Sequence, residues 1–216
     1  VRRCAAKGSY AVSFSENPSK LGFASIHSGA WDVLFQACEV TGTVVTMHIG
    51  SSSTLPSTSP DAPLAVSMSL SSQNAEGSLC DWIFSGTLDR FPGLTIVYAE
   101  SQVGWMPYLL ERMDLVWKGD VGGGARLPNP PSSYVRGRVY GCLFDDQHGL
   151  LSRNEVGLDQ IVFETDYPHT DGTWPNSLAV AHRLCAGADM TAPEVYKFVR
   201  GNAIRAFGLE RFGIQA

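Results

Sequence analysis

The sequence predicts an α/β fold made of repeated βα units around a parallel sheet. Three observations carry this expectation. Short runs of β-branched and aromatic residues recur between Gly and Pro, longer segments with helical spacing separate them, and the runs are mostly apolar on both faces, as buried parallel strands are. Strands are expected at 10–14, 43–49, 94–99, 139–144 and 161–165. Between them, Trp31, Leu34, Phe35 and Cys38 stand at i, i+3, i+4 and i+7, and Gly42 occupies a C-terminal cap position. Met106, Leu109, Leu110, Met113 and Trp117 repeat the pattern, with Pro107 in the first turn. Thr191-Ala192-Pro193-Glu194 reads as a capping box that opens a helix burying Val195, Phe198 and Val199, and a closing helix is expected over 202–209.

Two segments break the rhythm. Residues 50–72 are rich in Ser, Thr and Pro, and 119–133 in Gly and Pro, so neither is expected to enter the core. Loops of this length in a compact domain are usually functional or disordered. Because 50–72 follows the strand that ends in His48, it is expected either to form a lid or to be plain disorder.

The 216 residues suit one domain, with a formal charge of -5 and scattered Lys and Arg. No basic patch is available for nucleic acid or anionic lipid, and no apolar run is long enough for a transmembrane helix. Five dispersed cysteines without a CxxC pair are expected to be reduced thiols in a cytoplasmic protein. The chain begins at Val1 within a helix-like phrase, which suggests a piece of a longer gene product.

In parallel βα folds the active site forms where strands end. Three expected strands end in chemically capable residues: Val44-Val45-Thr46-Met47 in His48, Ile96-Val97-Tyr98-Ala99 in Glu100, and Ile161-Val162-Phe163-Glu164-Thr165 in Asp166. Each has a structural use of its own, His48 as a hydrogen-bonded core residue, Asp166 as a helix cap and Glu100 in an ion pair with Arg112. Together they point to metal binding or proton transfer, since gathering such groups without a partner costs free energy. Imidazole plus carboxylate suits zinc, and equally iron, cobalt or manganese.

Several phrases resemble the amidohydrolase-related family of the amidohydrolase superfamily, which includes 2-amino-3-carboxymuconate-6-semialdehyde decarboxylase. They are Arg90-Phe91-Pro92-Gly93-Leu94, Ala99-Glu100, Gly104-Trp105-Met106-Pro107, Glu111-Arg112-Met113-Asp114, Thr165-Asp166-Tyr167-Pro168-His169, Trp174-Pro175 and Asn202-Ala203-Ile204-Arg205-Ala206-Phe207. The resemblance implies the C-terminal part of a metal-dependent (β/α)8 TIM barrel, with the five strands as its fourth to eighth. It implies His48 and Asp166 as metal ligands, zinc as the expected ion, and Asp166 as the catalytic group that exchanges protons with the metal-bound water; Glu100 is expected to serve as a catalytic acid or base, a metal ligand or a partner of the ligands. His169 and Trp174, just beyond Asp166, are expected to touch substrate. The family's His-x-His pair is absent from this sequence, and Glu100 stands where the decarboxylase branch commonly has His. The implied reaction is hydrolysis, a metal-activated water attacking a carbonyl substrate. Its alternatives are decarboxylation of an aromatic or muconate-type acid, or an inactive fragment that needs the missing strands or a partner chain. The expected partner is a small carbonyl or carboxylic acid compound, and a homo-oligomer is compatible with the sequence. His27, His148 and His182 match no part of these motifs and are expected to be structural or exposed.

Overall fold

The structure is a computed structural model that describes residues 1–215, so Ala216, the last residue of the expected domain, lies outside it. Five parallel strands form one sheet in sequential order: β1 (Ala11–Ser13), β2 (Val44–His48), β3 (Ile96–Ala99), β4 (Val139–Leu143) and β5 (Ile161–Phe163). Each matches an expected strand and is shorter by one or two residues. The β5 pattern stops early because Glu164 to Asp166 turn away to build a site at the strand's end.

Alternate residues face opposite ways along each strand, and both faces are covered. Val45, Met47, Ile96, Tyr98, Val139, Leu143 and Ile161 belong to the larger core with Phe35, Leu79 and Trp82. Val44, Val97, Tyr140, Cys142 and Val162 pack with Ala206, Ala203 and Phe207 of the last helix. β1 and β5 each have one edge without a neighbouring strand among the described residues.

The expected helices appear where their caps place them. Asp32–Thr41 ends on Gly42 at φ 62°, a left-handed conformation that glycine adopts without a Cβ clash. Met106–Lys118 carries Pro107 in its first turn, and Thr191 and Glu194 form the capping box. Val199 departs from expectation, being 42% exposed while Phe198 is fully buried. The cause is a π-helical turn at Lys197–Gly201, whose extra residue rotates Val199 off the buried face.

Both unusual segments contribute more than expected. Ser52 is fully buried, 50–72 contains the helix Leu64–Ser69, and Leu127 of 119–133 joins the core. Polar bonding also fastens the last helix: buried Asn202 donates from Nδ2 to the carbonyls of Leu158 and Ile161, both at 2.7 Å. Asn202→Ala would leave those acceptors unpaired and is expected to destabilise the fold by about 1–3 kcal/mol, read as a lower urea midpoint with unchanged m-value.

The five cysteines are free thiols, as expected. No helix among the described residues is long and apolar enough to cross a membrane.

Candidate active site

Sheet register decides which side chains meet. His48 aligns with Ala99 across the β2–β3 pair, which brings Glu100, one residue further, beside the imidazole. Glu100 pairs with His48 through Oε1 and Nε2. The other imidazole nitrogen, Nδ1, lies 2.5 Å from the Ile49 carbonyl, so it carries the proton and donates. This leaves Nε2 directed at the site. The expected ion pair from Glu100 to Arg112 does not form, because the strand end turns the carboxylate toward His48.

Glu100 and Asp166 both have positive φ, 58° and 53°. The left-handed region costs a residue with a Cβ about 1–2 kcal/mol, and such conformations concentrate at functional sites. Here they bend the chain sharply after β3 and β5 and direct two carboxylates toward one point. The 165–172 turn closes over that point. His169 N–H donates to the Asp166 carbonyl at 2.8 Å, and His169 Nδ1 lies 2.6 Å from Asp166 Oδ2. Gly172 lets the turn fold back, since a Cβ there would stand 2.6 Å from the Thr165 carbonyl oxygen.

Glu100, Asp166 and His169 each offer a ligand atom within 4.8 Å of the others, and His48 adjoins them through Glu100. Two carboxylates and an imidazole are a suitable donor set for zinc or manganese. Trp174 stands apart from this cluster, 62% exposed and edge-on to Tyr167 at 5.2 Å between ring centroids.

The electrostatics follow from burial and crowding of acids. Glu100 is pushed up by burial and by its contact with Asp166, while His48 pulls against both. For His48, burial disfavours the charge, but the Ile49 carbonyl and the Glu100 and Asp166 carboxylates outweigh it and raise the pKa. His169 is raised by its bond to Asp166.

Two buried carboxylates, one in the site and one in the loops near it, escaped the sequence reading. Glu164 accepts the Glu100 N–H at 2.7 Å across the end of β4, and burial lifts its carboxyl to about 7. Glu16 is 3% exposed and laces the loop after β1 to the loop after β2: its Oε1 accepts from Gly50 N–H at 2.9 Å and from Ser52 Oγ at 2.8 Å. Within Ser15-Glu16-Asn17-Pro18 it reads as an ordinary turn residue, and Glu164 reads as one polar position inside a strand, so neither carried a local signal.

The raised Glu164 pKa has a measurable consequence. The native state holds this proton more firmly than the unfolded chain, where the carboxyl returns to its ordinary 4.5. The resulting stabilisation is fully present below about pH 4.5 and is lost as pH rises through about 7. Glu164→Gln is therefore expected to remove this pH-dependent loss from the metal-free protein, on the order of 2–3 kcal/mol between pH 5 and 8. Urea midpoints of both proteins at the two pH values check it.

A cavity of about 460 Å³ opens beside Glu100. Its walls include Ile49, Met68, Trp105, Phe144 and His148, together with Ser69, Ser71 and Ser72 from the segment after β2. His148, expected to lie outside any site, thus faces this space, carried there by the turn after β4.

A family model described as amidohydrolase matches residues 2–209. The chain belongs to the amidohydrolase family. Solved structures of amidohydrolase-family proteins share its fold. An amidohydrolase from Mycobacterium avium subsp. paratuberculosis aligns with TM-score 0.71 and 21% identity over 95% of this chain and 53% of its own. The 5-carboxyvanillate decarboxylase of Sphingomonas paucimobilis aligns with TM-score 0.68 and 20% identity, over 92% and 58%. A dihydroxybenzoic acid decarboxylase from a Polaromonas species, with bound manganese and the inhibitor 2-nitroresorcinol, gives TM-score 0.61 and 16% identity, over 85% and 55%. This family member therefore spans little more than half the length of those proteins. No curated protein matches it.

Proposed function

We propose that this chain supplies the C-terminal share of a metal-dependent carboxy-lyase acting on a small aromatic or enolic acid. The observation that carries the reading is the convergence of Glu100, Asp166 and His169, backed by His48, at the strand ends of a parallel sheet. The decarboxylases among the structural neighbours favour carbon dioxide release over the hydrolysis that the sequence suggested first. In this reading the five strands are the fourth to eighth of a barrel, and 50–72 acts as a lid through its wall at Met68–Ser72.

Asp166 and His48 would hold the divalent cation, with His169 next to Asp166. Zinc is the first ion to test and manganese the second, because a neighbour carries manganese. When bound, the cation would polarise a substrate oxygen and stabilise developing negative charge. Glu100, whose carboxyl is raised by burial and by Asp166, is the assigned proton donor. As the carbon–carboxylate bond breaks, its electron pair stays on the ring carbon, which takes the Glu100 proton, and carbon dioxide departs. Glu164 holds the Glu100 backbone and so keeps the proton donor at the end of β3. Trp174 and the imidazole of His169 would border the substrate.

The test is release of labelled carbon dioxide from carboxyl-labelled hydroxybenzoates by the chain in zinc or manganese chloride. Release is the expected result. Cleavage of esters or amides without carbon dioxide would establish hydrolysis instead, the reading that the family's own description favours. A second reading concerns assembly, because the chain spans only 53–58% of the three neighbours described above. If it works only with further strands, the purified chain will take up clearly less than one equivalent of zinc, measurable by metal analysis after dialysis.

A further inference from the structure

We propose that Glu16, outside the cluster of ligand groups, is a positioning residue: it fixes the root of a flap, residues 55–71, that closes on the cavity beside Glu100. The inference rests on the reading of 50–72 as a lid and narrows it to the part that moves.

Hydrogen bonding divides the segment in two. Residues 50–54 are tied to the loop after β1. Glu16 Oε1 accepts from the Gly50 N–H at 2.9 Å and from Ser52 through its N–H at 3.4 Å and its Oγ at 2.8 Å. In return the Glu16 N–H donates to Ser51 Oγ at 2.9 Å, and Ser15 Oγ donates to the Ser51 carbonyl at 3.2 Å. The other root is fixed as well. Asn74, 7% exposed, donates from Nδ2 to the Thr54 carbonyl at 2.7 Å, which fastens the end of the segment to its beginning.

Between these roots the chain holds only to itself. Among the described residues, no hydrogen bond of 55–71 reaches beyond residue 74 or before residue 55. The helix Leu64–Ser69 buries none of its residues, leaving Leu64 68% and Met68 43% exposed. Six residues are too few for a stable helix without packing, and a segment with little buried contact opens at low cost. Met68 and Ser69 already border the cavity, whose walls include the apolar side chains of Ile49, Trp105 and Phe144. Closing on a ligand would give Leu64 and Met68 the burial that the helix lacks.

One oxygen makes the clasp at Glu16. Its Oε2 is enclosed without a hydrogen-bond partner, so the three bonds from Gly50 and Ser52 need a single carbonyl-type acceptor. Glutamine supplies that acceptor and alanine does not.

Hydrogen exchange read by mass spectrometry tests this on the 216-residue chain, Glu16→Gln and Glu16→Ala, each with and without zinc chloride and benzoate. In the free chain, 62–71 is expected to exchange at least about tenfold faster than the neighbouring helix at 75–84. Zinc and benzoate together should slow 62–71 toward the rate of that helix. Glu16→Ala should speed exchange at 49–54 and weaken benzoate at least about tenfold, with zinc uptake unchanged. Glu16→Gln should behave as the unaltered chain. Exchange at 62–71 as slow as at 75–84 in the free chain would mean a fixed wall and overturn the inference. Benzoate that binds without slowing 62–71, or that binds Glu16→Ala as tightly as the unaltered chain, would also overturn it and leave the metal-dependent reading standing. A clasp lost in Glu16→Gln, seen as fast exchange at 49–54, would count against it equally. Failure of benzoate to bind the zinc-loaded chain would overturn both.

Discussion

Asparagine in place of Asp166 is expected to lower carbon dioxide release at least about a hundredfold while leaving the melting temperature within a few degrees. The substitution suits the backbone. Asp166 sits at φ 53°, a region in which Asn is among the few tolerated residues, so the turn that carries the side chain should persist. What changes is chemistry. The amide loses the negative charge that would hold a cation and that now raises both Glu100 and His169. Zinc uptake should fall together with turnover, and unimpaired turnover in Asp166→Asn would remove this residue from the site. Alanine would be a poorer probe, since it adds a backbone cost to the loss of charge.

The largest loss of stability is expected from Trp82→Ala, about 3–5 kcal/mol by urea denaturation. Trp82 is 1% exposed and packs on Phe35 at 4.7 Å between centroids and on Phe14 at 6.2 Å. Its indole N–H points at Met47 Sδ, 3.1 Å away, one residue before His48. Removing the ring would open a cavity under β2 as well as taking away apolar burial. The site should therefore loosen along with the fold. A shift under about 1 kcal/mol would mean that the surrounding rings collapse into the space, contrary to the close packing of this core.

Much of this architecture was legible in the sequence because it rests on local chemistry. Gly42, Pro107 and the Thr191–Glu194 capping box announce their helix ends through backbone preferences that tertiary packing does not need to supply. His48, Glu100 and Asp166 were visible as strand-terminal polar groups, and the structure brings them to one edge through the strand register. What stayed hidden depends on contacts across the fold. Glu164 owes its raised pKa to burial within the fold and accepts the N–H of Glu100, 64 residues away in the chain, while Glu16 meets the loop it fastens 34–36 residues on. Val199 could not be placed because a single π turn shifts the register by one residue, and no residue type signals such a turn. Ser52 was masked by its own segment, whose polar composition is that of a surface loop although its hydroxyl is buried against Glu16.

The outer strands of the sheet bear on how selectively the molecule meets other chains. β1 and β5 are three residues each, whereas the inner strands run to four or five. An arriving strand can therefore gain only two or three backbone hydrogen bonds on either side, too few to hold an arbitrary sequence against the entropy of ordering it. Beside β5 lies an apolar groove of about 1100 Å³, lined by Phe163, Leu178, Met190 and Val199 among others. Short edges thus give little purchase to a segment that offers backbone alone.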